Sequence, residues 1–255
     1  MFVDTHAHIY DESLMNEAEV VVQRALEAKV ERIYMPNCDN ATITPMMQLA
    51  TDYPEHCFPM IGLHPCYVKE NYQQELAQME SWLEDKRIVA VGEIGLDYYW
   101  DLSFKTQQID AFNQQMDWAL QYHLPIVIHS RDSTQDCIDW VRKKQNGNLK
   151  GVFHCFSGTV EEAKAVVDLG FYLGIGGVVT YKKSNLPAII AAIGLQHILL
   201  ETDAPYLAPT PYRGKRNESS YIPIIAQKIA EVLNTDLNEV ATITTKNATL
   251  LYQRG

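Results

Sequence analysis

Eight short apolar runs, each followed by a longer amphipathic stretch and recurring roughly every 30 residues along a 255-residue chain, predict an α/β fold of the (β/α)8 TIM-barrel class. The runs at 2–6, 32–35, 58–62, 88–93, 126–129, 151–154, 171–174 and 198–201 are rich in β-branched and aromatic residues, as strands covered on both faces should be. After the first run, Ala18, Val21, Val22, Ala25 and Leu26 follow the i, i+3, i+4, i+7, i+8 spacing of one helical face. Leu76, Met79 and Leu83 do the same before the fourth run, and Ile109, Phe112, Met116, Ala119 and Leu120 before the fifth. Ile222, Ile225, Ile229, Val232 and Leu233 repeat it after the eighth. A doubly wound open sheet shares this alternation, but no G-x-G-x-x-G follows the first run and no P-loop motif occurs. No Ser/Gly-rich linker, charge block or repeat divides the chain, so residues 1–255 are expected to form a single domain.

Composition narrows the function. The net charge of −11 opposes a broad basic surface that coats duplex nucleic acid, but it leaves open a small anionic group held by bound cations. No stretch reaches the 18 apolar residues of a membrane span and no leader pattern stands at the start, so a soluble, cytoplasmic, monomeric protein is expected. Five cysteines with no C-x-x-C pair fit reduced thiols better than a disulfide framework or a cysteine zinc site.

The chemistry collects where a barrel places its active site, at the C-terminal ends of the strands. The first run leads into His6-Ala7-His8, where residues two apart turn two imidazoles to one face. The fourth ends at Glu93, the fifth at His129, the sixth at His154, and the eighth leads through Glu201 to Asp203. Any one of these could be a core histidine or a helix-capping acid; together on five strand ends they read as metal ligands. Four His, one Glu and one Asp exceed what one catalytic zinc uses, whereas two cations sharing a carboxylate would employ all six. Imidazole favours Zn²⁺ or Ni²⁺, and carboxylate with water favours Mg²⁺ or Mn²⁺, so the set alone leaves the metal open. His56, His123 and His197 fall before strands, at the other end, and read as structural.

The motifs that carry these residues resemble the TatD family of metal-dependent hydrolases. They are the His-x-His start, Gly62-Leu63-His64-Pro65, Gly92-Glu93-Ile94-Gly95-Leu96-Asp97, Ile128-His129-Ser130-Arg131, Phe153-His154-Cys155-Phe156-Ser157-Gly158 and Glu201-Thr202-Asp203-Ala204-Pro205. Arg213-Gly214-Lys215-Arg216-Asn217-Glu218 and Asn247-Ala248 extend the match, which runs in order from residue 4 to residue 252. The resemblance implies an amidohydrolase-type barrel with a dinuclear site and magnesium-dependent deoxyribonuclease activity. It also implies that His6, His8 and Asp203 hold one cation, His129 and His154 the other, and that Glu93 bridges them. Ser219 stands where the family often has Pro, and Tyr252 where Phe is commoner, a core exchange that leaves a hydroxyl to be satisfied.

On this reading Glu93 and Asp203 are the catalytic residues, Asp203 accepting a proton from the attacking water, with Mg²⁺ or Mn²⁺ as the working cations. His64, Arg131 and Arg213 are expected to bind substrate, Arg through its bidentate fork for phosphate. Tyr98, Tyr99 and Trp100 after Asp97 are open to two readings, stacking of an unpaired base or packing at the rim, and Lys182-Lys183 reads as an exposed loop pair. The acidic surface favours action on a nucleic-acid strand end or a short single strand over the interior of a duplex, and the resemblance makes the expected activity a 3′–5′ exonuclease on single-stranded DNA, with RNA as a further substrate. The same constellation would also serve a D-aminoacyl-tRNA deacylase or another ester or amide hydrolase. A non-catalytic metal scaffold is disfavoured by so many ligands at one barrel mouth.

Overall fold

Runs this short and this apolar are stable only when covered on both faces, which a closed ring of parallel strands wrapped in helices provides. The computed structural model describes residues 1–253, so residues 254 and 255 of the expected 1–255 domain lie outside it. Its strands are β1 (Phe2–Asp4), β2 (Val30–Pro36), β3 (Cys57–Met60), β4 (Val91–Asp97), β5 (Ile126–Arg131), β6 (Gly151–Phe153), β7 (Tyr172–Ile175) and β8 (Ile198–Leu200). The predicted helical faces lie on Ala18–Glu27, Tyr72–Glu80, Lys105–Tyr122 and Ile222–Leu233, with Leu83 in the 3-10 turn Ser81–Glu84. Among the described residues no helix is long and apolar enough to cross a membrane.

All pairings are parallel, in two ladders, β1-β2-β3 and β4-β5-β6-β7-β8. Two seams close the ring. At one, Ile61 pairs with Val91, and Gly92 N–H donates to Ile61 O at 2.9 Å. At the other, Ala7 pairs with Ala204, Thr5 N–H donates to Leu200 O at 2.9 Å, and Asp203 N–H donates to His6 O at 2.9 Å.

The fourth strand departs from expectation: it runs from Val91 to Asp97, not over 88–93, so Glu93 is its third residue and Asp97 its end. Gly92 and Gly95 are strand residues pressed against β5. A Cβ on Gly92 would lie 2.7 Å from Val127 Cβ, and one on Gly95, at φ 133°, would lie 2.1 Å from His129 O. The first and eighth strands also end earlier than predicted, at Asp4 and Leu200, so His6, His8, Glu201 and Asp203 stand in the segments just beyond.

Along the strands, alternate side chains divide between the helices and the barrel interior. Val3, Tyr34, Met60, Val127, Val152 and Leu199 form one buried interior cluster, closed by Ala248, Leu251 and Tyr252 at the end of the last helix. Tyr252 stacks on Tyr34 at 4.4 Å, and its buried hydroxyl makes no hydrogen bond with the described residues, as the exchange for Phe predicts. His56, His123 and His197 lie before β3, β5 and β8, away from the other five.

The β8–β1 seam is strapped by a buried carboxylate. Asp4 Oδ1 accepts from Thr202 N at 2.9 Å and His6 N at 3.3 Å, and Asp4 Oδ2 accepts from Thr202 Oγ1 at 2.6 Å. Asn217 grips the other side, its Nδ2 donating to Thr202 O at 2.7 Å and Tyr206 O at 2.6 Å. Removing the Thr202 hydroxyl leaves one buried carboxylate oxygen without its donor, which costs about 1–3 kcal/mol. Thr202→Val is therefore expected to lower the unfolding free energy by that amount in urea titration, while Thr242→Val on an exposed helical face stays within about 0.5 kcal/mol. Equal effects of the two would show that the strap contributes nothing.

Candidate metal centre

Period-two geometry on β4 turns Glu93, Gly95 and Asp97 to one face. His129 of β5 pairs opposite Gly95, the residue with no side chain, and its ring fills the gap between the two carboxylates. Its Nδ1 lies 3.0 Å from Glu93 Oε1 and its Nε2 2.8 Å from Asp97 Oδ2. Asp97 thus holds the outer nitrogen and leaves the inner one facing Glu93.

The other imidazoles reach the same carboxylate from different elements. His154, one residue past β6, places Nε2 3.0 Å from Glu93 Oε1. His6 places Nε2 3.2 Å from Glu93 Oε2, and His8 places Nε2 3.6 Å from it. Asp203 Oδ1 lies 3.5 Å from His8 Nε2 and 3.7 Å from His6 Nε2. Asp203 sits at φ 58°, a left-handed conformation that Asp tolerates better than most residues. The ligand atoms of His6, His8 and Asp203, and separately of His6, Glu93 and His154, lie within 4.8 Å of one another.

Partners behind the rings set which nitrogen faces inward. The Tyr10 hydroxyl donates to Pro36 O at 2.5 Å, so its oxygen accepts from His8 Nδ1 at 2.8 Å and turns Nε2 toward Asp203. His154 Nδ1 lies 3.4 Å from Glu201 Oε1, which also accepts from Cys155 N at 2.6 Å. Gly174 makes room for this buried acid, since a Cβ there would lie 2.1 Å from Glu201 Oε2.

His64 differs. It enters the cluster, with Nε2 3.4 Å from Glu93 Oε1 and 3.3 Å from His129 Nδ1, closer in than a residue expected only to touch substrate. Its Nδ1, however, accepts from Cys66 N at 3.0 Å, which keeps the proton on Nε2 and makes the inward atom a donor. Gln115 fixes this loop, accepting from Leu63 N at 2.6 Å.

Electrostatics follow from crowding these groups out of water. Burial alone would raise the Glu93 carboxyl, but the imidazoles of His154, His64 and His6 outweigh it and hold the group well below the usual carboxylate range. Burial would lower His154, and Glu93 with Glu201 raise it well above an ordinary histidine. Asp203 is pushed up by burial and pulled further down by His8, His154 and His6. Burial also opposes ionisation of Asp97, yet the His129 bond and the Trp100 and Tyr99 amides bring it down to about 2.

The donor set fits divalent cations. Ring nitrogens and carboxylate oxygens from five strand ends face one buried spot, and His6 Nε2 and His8 Nε2 approach to 3.2 Å there. The structure therefore brings together His6, His8, Glu93, His129, His154 and Asp203, and adds His64. It does not bring in Arg131 or Arg213, whose side chains are exposed and stand over Tyr99 at 3.8 Å and Tyr181 at 4.5 Å. Sequence reading assigned no role to Tyr10, Asp97 or Glu201. Period-two spacing from Glu93 would have pointed to Asp97, but only with the strand's true end in hand.

A family model described as TatD related DNase matches residues 3–253. The uncharacterized metal-dependent hydrolase YabD of Bacillus subtilis is 39% identical over 254 residues, 99% of each chain. The 3′-5′ ssDNA/RNA exonuclease TatD of Edwardsiella piscicida is 31% identical over 257 residues, covering 98% of this chain and 99% of its own. The crystal structure of YjjV, a TatD homologue from Escherichia coli K12, superposes with a TM-score of 0.93 at 29% identity, covering 99% of this chain and 98% of its own. With a barrel of this kind and ligand-bearing strand ends in this order, the chain belongs to the TatD family of metal-dependent hydrolases.

Proposed function

We propose that the chain is a phosphodiesterase of the deoxyribonuclease type, a 3′–5′ exonuclease on single-stranded DNA or RNA. One observation carries this reading: a single buried carboxylate, Glu93, faces two ligand groups with its two oxygens. Oε2 looks toward His6 and His8, and Oε1 toward His129 and His154. The relative named as an ssDNA/RNA exonuclease supports the substrate class.

His6, His8 and Asp203 would hold one divalent cation and His129 and His154 the other, with Glu93 between them; Mg²⁺ or Mn²⁺ suits the two carboxylates. Such cations supply positive charge to the phosphoryl oxygens and acidity to a water. The chain's own groups do the rest. Asp203, held ionised by its imidazole neighbours, accepts the proton of the attacking water. His64 offers its Nε2 proton to a phosphoryl oxygen. Asp97, Glu201 and Tyr10 keep the rings aimed while charge develops.

A 5′-labelled single-stranded oligomer, incubated with protein stripped of metal and reloaded with Mg²⁺ or Mn²⁺, tests the reading. The expected result is a metal-dependent ladder shortening one nucleotide at a time, slower on a blunt duplex and absent with Glu93→Ala. An intact oligomer under both metals would overturn it and make a carboxyl ester, with charged tRNA first, the substrate to test. Glu201→Gln keeps the shape but loses the charge behind His154, and is expected to weaken metal binding by about 10–100-fold in a chelator competition. Unchanged affinity would remove Glu201 from this role.

A further inference from the structure

In a chain with net charge −11, four arginines lie against carboxylates, Arg24 on Glu218, Arg87 on Asp85, Arg142 on Asp139 and Arg216 on Glu17, whereas Arg213 stands over the Tyr181 ring. Arg131 makes no ion pair among the described residues. Its guanidinium carbon stands 3.8 Å from the centre of the Tyr99 ring and 5.2 Å from that of Trp100, and the two rings meet edge to face at 4.9 Å.

These two aromatics are left in water, Tyr99 at 53% exposure and Trp100 at 68%. Adjoining exposed aromatics, unlike apolar residues scattered singly, mark a surface that meets a ligand. The loop is fixed in the pose that exposes it. Tyr99 N and Trp100 N both donate to Asp97 Oδ1, at 3.0 and 3.1 Å, and Tyr98 turns the other way, its hydroxyl donating to Asp136 at 2.9 Å. Asp97 Oδ2 is the atom that holds His129. One carboxylate therefore ties the exposed rings to the cluster around Glu93.

We propose that Tyr99, Trp100 and Arg131 form a stacking subsite for an unpaired nucleobase beside the scissile phosphodiester. The free edge of the guanidinium takes the flanking phosphate. This rests on the phosphodiesterase reading and extends it. An aromatic face accepts any base, so the subsite is tolerant of sequence. It excludes a duplex, where both faces of a base are already stacked. It also accounts for nucleic-acid capture by an acidic surface, since stacking needs no broad basic patch, and for an arginine left without a carboxylate partner.

The test uses the metal-loaded enzyme and two single-stranded oligomers, one ordinary and one whose 3′-terminal residues lack bases. Wild type is expected to cut the ordinary oligomer faster by roughly tenfold or more. That ratio should fall toward one in Trp100→Ala and largely survive in Trp100→Phe. Binding is read separately by tryptophan emission, which the ordinary oligomer should quench in wild type but not in Trp100→Phe. An oligomer that quenches Trp100 yet stays uncut would sustain the subsite and remove the phosphodiesterase reading. Cleavage with a ratio indifferent to Trp100→Ala, or binding without quenching at Trp100, would overturn the subsite and leave that reading intact. Neither binding nor cleavage would overturn both.

Discussion

A buried carboxylate ringed by imidazoles depends on what holds those rings from behind. Glu93 lies within 3.6 Å of ring nitrogens of His6, His8, His64, His129 and His154. Left free, such rings would turn to satisfy one another or water. Here Tyr10, Asp97 and the Cys66 amide hydrogen-bond the outer nitrogens of His8, His129 and His64, and Glu201 stands 3.4 Å from that of His154. The consequence is chemical as well as structural: His8, His129 and His154 turn their inner nitrogens to the site, and His64 turns a proton there.

The barrel provides this convergence because its strand ends face a common axis, and glycine lets the strands come close enough. Gly95 leaves the space that His129 occupies between Glu93 and Asp97, and Gly174 leaves the space that Glu201 occupies behind His154. The two seams matter for the same reason. His6, His8 and Asp203 belong to the segments that close the ring between β8 and β1, and the Asp4–Thr202 strap ties those segments together.

Much of this was legible in the amino-acid order. Eight apolar runs at even spacing predicted the eight strands, and the polar types just after them predicted the six residues that meet at the site. What escaped the sequence was contact between neighbours. The fourth run is expected to end at Glu93, and only the pairing of Gly95 with His129 on β5 shows that the strand continues to Asp97. Asp97 and Glu201 stood inside recognised motifs, but their roles depend on the distance to a ring on another strand. The position of His64 after a Gly-Leu pair was visible. Its tautomer, set by the Cys66 amide, was not. Arg131 and Arg213 stand outside the cluster, each guanidinium over an aromatic ring, a placement that depends on side chains brought in from Tyr99 and Tyr181.

The central claim is that Glu93 stands between two cation sites. Electron paramagnetic resonance of the protein titrated with Mn²⁺ tests it most directly, since two ions sharing a carboxylate couple their spins and isolated ions do not. The account predicts two bound Mn²⁺ per chain with a coupled-pair spectrum, and loss of the coupling in a folded Glu93→Gln protein. A single uncoupled Mn²⁺ in the wild type, or coupling that survives in Glu93→Gln, would contradict it.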